Sequence, residues 1–531
     1  MTNTLYYGDN LKVLREHIPD ESVDLIYLDP PFNSKADYNI LFKEPSGVSS
    51  DAQVTAFEDT WHWTQETESA FKEIVETEPV AVVEMMRAFR QFVGMNDMMA
   101  YLTMMCIRLV ELRRVLKDTG SIYLHCDPTA SHYLKILMDA IFGKNNFRNE
   151  LIWKRTSGHS DAKRFGNIHD IILFYAKDDN SKWQQIYQEY DKSYTEQYYR
   201  YSDPDGRKWM SDNLGAAGLL GGGYTYEWKG ITRLWRCPIE TMERLDNEGK
   251  IFYTKNGIPR FKRYLDESKG LSCQDMWTDI EALRSWHAER LGYPTQKPIA
   301  LLERIISASS NEGDVVLDPF CGCGTTVTAA QKLNRQWIGI DVTHLAINLI
   351  KGRLKDMYDL KPKDDYTVTG EPEDLAGAME LASQNRYQFQ WWALSLIDFR
   401  PYGDKKKGKD TGIDGYSYIM DSKNDYRKVI AQIKSGQVGV KDIRDFGHVI
   451  DREQAAMGVF ITLNAPTKDM TKEAAGKGVF TSAFNGKDYP CIQIFTIEDL
   501  FAGKQPQPES LMVSAYKKAE SVKPAQEKLG F

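Results

Sequence analysis

Long apolar runs are missing from this sequence. No stretch approaches the roughly 18 uninterrupted apolar residues that a membrane-spanning helix needs, so no membrane partner is expected. The first residues also lack a basic stretch followed by an apolar core, so no secretory leader is read there. The expected location is the cytoplasm. Cysteine is scarce as well: seven, odd in number and scattered, which excludes a disulfide framework. Only Cys321 and Cys323 lie close together. No second Cys/His pair stands nearby at zinc spacing, so they read as small residues at a tight turn. An excess of positive charge is absent too. Lys and Arg number 67 against 75 Asp and Glu, a net charge of −8. A nucleic-acid binder usually shows the opposite balance. Net charge does not describe a cleft, however, and an acidic protein can carry a local basic groove. Repeats and low-complexity tracts are not seen.

The 531 residues exceed one domain, and two or three are expected. Val23 to Leu28 is an apolar, β-prone run that Asp29-Pro30-Pro31-Phe32 ends abruptly. Helical spacing of Leu102, Met105, Leu109, Leu112 and Leu116 predicts a helix from Met98 to Leu116. Gly120 stops it, Ser121 to His125 reads as a buried strand, and a helix through Leu134, Leu137 and Ile141 ends at Gly143. From about Lys154 to Glu281 the periodicity weakens, and Tyr, Trp, Gly, Lys and Arg accumulate. Gly215 to Gly223 is loop-like. Regular pattern returns at Pro298: a helix (Leu301 to Ser309), a strand (Val315 to Leu317), a Gly-rich turn, a helix (Thr326 to Leu333) and a strand (Trp337 to Ile340). Such alternation implies an α/β fold, a mostly parallel sheet with helices on both faces. The polar segment Lys361 to Asp374 reads as a linker. A helix from Met379 to Ile397 and a basic loop from Lys405 to Lys409 open a further αβ block.

Asp318-Pro319-Phe320-Cys321-Gly322-Cys323-Gly324-Thr325-Thr326 lies between a buried strand and a helix. Its glycines let the backbone turn sharply and approach a ligand closely. Asp341 closes the next strand roughly 20 residues on, where an acid accepts hydrogen bonds from ribose hydroxyls in dinucleotide-binding folds. This pattern points to a nucleotide-like ligand without naming it; an ordinary strand-to-helix turn would also satisfy it.

Taken with Asp29-Pro30-Pro31-Phe32, the sequence resembles the amino-methylating DNA methyltransferases, in the β-class order of catalytic tetrapeptide first and donor-binding turn last. The resemblance runs over roughly residues 1 to 360. It is carried by Gly8-Asp9-Asn10, the tetrapeptide, Gly120 to His125, Tyr293-Pro294-Thr295-Gln296-Lys297-Pro298, and Asp318 to Thr326. The stretch from Trp61-His62-Trp63 to Tyr101 also resembles type III-like modification enzymes. The resemblance implies a Rossmann-like S-adenosylmethionine-dependent sheet in residues 1–153 and 286–360, with a target-recognition region inserted at 154–285. It places Asp318, Phe320, Gly322 and Gly324 in the donor turn and Asp341 on the donor ribose. Asp9 then faces the donor adenine, and Thr295, Gln296, Lys297 and Pro298 hold its methionine end. Asp29, Pro30, Pro31 and Phe32 form the transfer site. There a carboxylate and the Pro30 carbonyl accept both hydrogens of the target amine, and Phe32 stacks on a base taken out of the duplex. Asp at the first position favours adenine N6; N4-cytosine members more often carry Ser there. Double-stranded DNA is the expected substrate, RNA the weaker alternative. A second copy of the chain or a separate restriction subunit is the expected partner. Lys154, Arg155, Lys163, Arg164, Lys229, Arg233, Arg236, Arg260, Lys262 and Arg263, interleaved with Trp and Tyr, suit phosphate contacts and base readout.

After a linker at 361–378, residues 379–502 resemble the Mrr-like branch of the restriction-endonuclease fold; residues 503–531 read as a tail. The resemblance rests on Asp414, on Gln432 and Lys434 two apart on one strand face, and on Val459 to Thr462. It implies Mg²⁺ on Asp414, with Lys434 near the scissile phosphate. Gln390 stands where many relatives carry a helical Glu. Asp414 is thus the only evident anionic ligand, and two readings stay open: a cleaving domain and a DNA clamp.

Overall fold

The computed structural model describes residues 2–31, 37–43, 49–58, 61–157, 165–216, 223–293, 295–402, 411–422, 425–513 and 519, with backbone alone at 37–43 and 49–58. Phe32, Lys163, Arg164, Pro294, the loop at 405–409 and most of the tail lie outside the described residues. Contacts divide the chain into two compact units, residues 1–184 with 275–531, and residues 185–274.

In the first unit nine strands form one sheet: β1 (Thr4–Tyr7), β2 (Val23–Leu28), β3 (Leu116–Cys126), β4 (Phe147–Lys154), β5 (His169–Ala176), β6 (Met276–Trp277), β7 (Val315–Asp318), β8 (Gln336–Asp341) and β9 (Thr367–Thr369). Their spatial order is β6-β4-β5-β3-β2-β7-β8-β1-β9. From β3 to β9 every neighbouring pair is parallel; β5 alone runs against both its neighbours. The central β2 is buried along its whole length, as a parallel strand covered on both faces must be. Its one acid, Asp24, accepts from Lys117 at 2.7 Å, Lys182 at 2.8 Å and the Val315 N–H at 3.0 Å. One sheet face is covered by α1 (Asn10–His17) and α2 (Asp97–Val115), the other by α3 (Ile299–Ser309), α4 (Thr325–Lys332) and α5 (His344–Tyr358).

Two features depart from the sequence expectation. Within the 361–378 segment read as a linker, β9 adds to the sheet edge, with Thr4, Leu5 and Tyr6 opposite Thr367, Val368 and Thr369. A three-residue polar strand carries too little apolar signal to stand out. The single helix expected from Met379 to Ile397 is two, α6 (Leu375–Gln384) and α7 (Arg386–Ser395). Asn385 separates them. Its side chain accepts from the N–H groups of Tyr387 and Gln388, both at 3.1 Å, which starts a new helix instead of continuing the old one.

Beyond α7, strands β10 (Arg400–Pro401), β11 (Gly415–Ser422), β12 (Asp425–Lys434), β13 (Met457–Thr462) and β14 (Ile492–Thr496) form a second sheet in that order, with Met512–Val513 beside β11. This C-terminal block has its own apolar cores. Tyr7 of β1 packs against the core of the first sheet and against that of the C-terminal block. Its ring stacks on His344 with centroids 3.7 Å apart. The His344 N–H donates to Gln388 Oε1 on α7 at 3.3 Å.

The second unit holds an antiparallel sheet of residues 251–253, 259–264, 208–213 and 201–202, and a hairpin of Tyr224–Trp228 with Ile231–Trp235. Leu214, Trp228, Trp235, Met242 and Ile251 form its small core.

Gly370 follows β9 at φ +93°, and an added Cβ would stand 2.1 Å from the Tyr7 carbonyl oxygen. Gly370→Ala combines a left-handed backbone with a backbone overlap, so a loss of roughly 2 kcal/mol or more is expected. The urea midpoint of the full chain measures it. An unchanged midpoint would show that this segment is not an integral part of the sheet.

Candidate functional site

The carboxyl ends of β1, β2, β7 and β8 open on one cavity of about 420 Å³. Asp9, Asp29, Pro30, Pro31, Thr295, Gln296, Lys297, Asp318, Phe320, Gly322 and Asp341 line it. Gly324 and Pro298 lie behind this lining: Gly324 caps α4, and Pro298 caps α3. Phe32 lies outside the described residues.

The turn after β7 is built by its own polar groups. Asp318 Oδ1 accepts from the Phe320 N–H at 3.0 Å, and Oδ2 from the Thr326 hydroxyl at 2.5 Å. Gly324 takes φ +74°, and a Cβ there would meet Ile350 at 2.7 Å, so only glycine allows this turn to press against α5. Asp341 Oδ2 accepts from the Gly322 N–H at 3.0 Å, which joins the turn to the end of β8. Its Oδ1 accepts from the Thr343 N–H and hydroxyl, both at 2.9 Å. Burial pushes the Asp318 carboxyl up to about 7 and that of Asp341 up to about 6. These hydrogen bonds only partly offset the cost of burying charge. Two buried acids thus stand at adjacent strand ends on the cavity wall, with lone pairs left to accept from ligand hydroxyls.

Asp9 caps α1, accepting from the Lys12 N–H at 3.2 Å, and pairs with Arg108 Nη2 at 2.8 Å. Arg108 Nε also donates to Asn10 Oδ1 at 2.6 Å, and Asn10 Nδ2 to the Pro319 carbonyl at 2.8 Å. This network ties the first strand to the turn after β7. Arg108 was not singled out from the sequence. An arginine inside the apolar stretch from Met98 to Val110 was the available signal, since a guanidinium is rarely buried unpaired.

Asp29 stands just past β2. Its Oδ2 is ion-paired with the Lys297 ammonium, and its Oδ1, although buried, has no hydrogen-bond partner among the described residues. Lys297 was expected at the methionine end of a donor; the structure puts its ammonium on Asp29. Gln296, expected at the same end of the donor, lines the cavity as well. Its amide accepts from the Leu291 N–H at 2.7 Å and donates to the Glu289 carbonyl at 2.8 Å, so it shapes its own loop.

Of the basic residues expected to face DNA, several in the second unit are internally paired: Lys229 with Asp246, Lys262 with Asp203 and Arg263 with Asp212. Arg260 donates to Ser211 at 3.0 Å. Arg233 is exposed on the hairpin.

In the C-terminal block the structure brings Asp414, Gln390 and β12 together. Asp414 Oδ1 accepts from Gln390 Nε2 at 3.0 Å and Oδ2 from the Ile433 N–H at 2.6 Å. Gln432 is buried on β12, and Lys434 is half-buried at its end. Among the described residues no group of three His, Cys, Asp or Glu could hold a metal ion. One carboxylate with both oxygens taken by N–H donors does not fit Mg²⁺, which needs anionic or carbonyl oxygens around it. The Mg²⁺ and cleavage expected from the Mrr-like resemblance are therefore not carried forward.

The cavity and its turn define an α/β fold with a site for a nucleotide-like donor. Residues 23–352 match the N6/N4 family model described as DNA methylase. The chain belongs to that DNA methylase family. Residues 386–502 match a NACHT-associated inactive restriction endonuclease model. The type II methyltransferase M.EcaI of Enterobacter cloacae is 30% identical over 398 residues, 73% of this chain and 77% of that one. The Mod subunit of the type III restriction-modification enzyme StyLTI of Salmonella typhimurium (strain LT2) is 32% identical over 358 residues, 63% of this chain and half of its own length. Among solved structures, a complex of M1.HpyAVI with S-adenosylmethionine aligns over 66% of this chain and 97% of its own, at 15% identity and TM-score 0.30.

Because the folded Asp318 pKa lies above the unfolded value near 3.9, its protonation stabilises the fold below about pH 4, and that contribution is lost as pH rises through about 7. Asp318→Asn, neutral throughout, is expected to flatten the stability curve of the ligand-free protein between pH 5 and 8. Urea midpoints against pH for both proteins test this. Parallel curves would remove Asp318 as the source.

Proposed function

We propose that this chain transfers a methyl group from S-adenosylmethionine to N6 of adenine in double-stranded DNA, as the modification component of a restriction-modification system. The observation that carries the reading is the divided Asp29 carboxylate, one oxygen on Lys297 and the other buried, unpartnered and in the cavity wall.

The donor supplies a methyl carbon made electrophilic by a positive sulfur. The protein's part is alignment and hydrogen-bond acceptance. An aromatic amine is a poor nucleophile because its lone pair is delocalised into the ring. Asp29 Oδ1 and the Pro30 carbonyl, accepting both amine hydrogens, favour a pyramidal nitrogen whose lone pair faces the methyl carbon. Lys297 occupies Asp29 Oδ2, which leaves Oδ1 facing the cavity as the acceptor. As the nitrogen–carbon bond forms the sulfur–carbon bond breaks, its electron pair stays on sulfur as the neutral thioether, and one amine proton passes to solvent water. Asp341 retains lone-pair capacity for ribose hydroxyls, and Asp318, Phe320 and Gly322 hold the turn against the donor. Asp9 and Thr295 border the same cavity. The choice of adenine rests on Asp at position 29. Homologous matches to both type II enzymes and type III Mod subunits support the modification role and leave the partner as either a second copy or a separate restriction subunit. We assign the C-terminal block to DNA holding without cleavage, on the amide-saturated Asp414.

Asp29→Ala is expected to reduce methylation at least 100-fold, the scale of removing a preorganised acceptor, while S-adenosylmethionine affinity changes little. Labelled-donor turnover and calorimetry read the two quantities. Wild-type turnover by the variant sinks the assignment. Nucleoside mass spectrometry of the modified duplex should show N6-methyladenine; N4-methylcytosine as sole product overturns the choice of base. Asp414→Ala is expected to leave methylation unchanged, and neither protein should cut DNA when Mg²⁺ is added. Mg²⁺-dependent cleavage that this substitution abolishes would restore the nuclease reading.

A further inference from the structure

Three buried polar side chains beside the transfer turn are not used by the mechanism above. Tyr27, His125 and Asp170 are at most 2% exposed and come from β2, β3 and β5, which are consecutive in the sheet. The Tyr27 hydroxyl stands 2.8 Å from His125 Nδ1, and His125 Nε2 stands 3.2 Å from Asp170 Oδ2. Trp153 closes the imidazole edge-on, with ring centroids 5.8 Å apart. Tyr27 also lines the cavity, two residues before Asp29 and so on the same side of the strand path.

We propose that Tyr27, His125 and Asp170 are a chain of positioning residues that fixes the cavity wall beside Asp29, an inference that rests on the methyl-transfer reading. The order of donors and acceptors follows from the ends. Burial opposes the charge on Asp170, but the hydrogen bond from His125 and the nearby Lys297 and Arg155 cations hold its carboxyl below the usual range. A carboxylate only accepts, so His125 carries its proton on Nε2. With the ring neutral, Nδ1 is then an acceptor and the Tyr27 O–H donates to it. The hydroxyl rotor is fixed and the ring has one resting place. All three side chains issue from backbone that the sheet already holds, and none belongs to the turn at Asp318–Thr326. The chain therefore sets the transfer geometry and not the affinity for the donor. Errors of about 1 Å in such geometry cost up to about 100-fold in rate.

The test uses the full-length protein with S-adenosylmethionine and duplex DNA. His125→Gln, which has no acceptor at the Nδ1 position, and Tyr27→Phe are expected to lower kcat roughly tenfold or more with the donor KM within about twofold. His125→Asn, which returns an acceptor near Nδ1, should recover part of the loss. Histidine-labelled ¹⁵N NMR, with His125 assigned by its disappearance in His125→Gln, should show the Nε2–H tautomer in the wild-type protein. An Nδ1–H signal there overturns the proposal regardless of how any variant folds. Wild-type kcat in His125→Gln, or a donor KM that rises as far as kcat falls, overturns it as well. Asp29→Ala is assayed alongside: activity in that variant defeats the methyl-transfer reading itself, whereas an inactive Asp29→Ala beside a fully active His125→Gln defeats only the chain.

Discussion

Parallel strand pairing is the constraint on which the site depends. Because β1, β2, β7 and β8 all run the same way, their carboxyl ends reach a single edge of the sheet. Residues from the first thirty positions of the chain and from positions beyond 290 therefore meet without any special contact to draw them together. The ion pair of Asp29 with Lys297 and the bond from Asn10 to Pro319 then only have to hold a geometry that the sheet delivers. The apolar interior of β2, which admits Asp24 solely with two lysines and an N–H around it, keeps that delivery rigid.

The two carboxylates at the centre of the two αβ blocks make an instructive contrast. Asp29 keeps one oxygen without a partner at a cavity wall, which is costly for a folded protein unless something arrives to use it. Asp414 has both oxygens satisfied by an amide and a backbone N–H. Gln390 does this where a second carboxylate would instead repel Asp414 unless a cation joined them. One exchange of oxygen for nitrogen thus puts a hydrogen bond where a carboxylate pair would call for a cation.

Much of the fold was legible because its period is strong. The helix at Asp97–Val115, the strand at Val23–Leu28 and the strand–turn–helix around Asp318 to Thr326 were all read from apolar spacing and from glycines that turn the chain. What escaped was either too short or too polar to have a period. The edge strand Thr367–Thr369 is three residues in a polar stretch, and Asn385 ends one helix and caps the next within a short polar run that one long helix would also tolerate. The sheet of the second unit is rich in aromatics but gains its order from cross-strand pairs such as Trp209 opposite Tyr264, which one strand alone does not reveal. At the site, residue types were legible but partnerships were not. That Lys297 faces Asp29, and that Arg108 bridges Asp9 to Asn10, are facts of three-dimensional proximity between segments far apart in the chain.

Tyr7 belongs to two hydrophobic cores at once, and its strand ends beside Asp341. Thermodynamic linkage follows from that double membership. Whatever energy a ligand adds at the end of β8 also resists opening of the neighbouring core, because the same ring has to leave both. A ligand in the cavity would then slow backbone hydrogen exchange in the helices after Asp374, which lie outside the cavity lining.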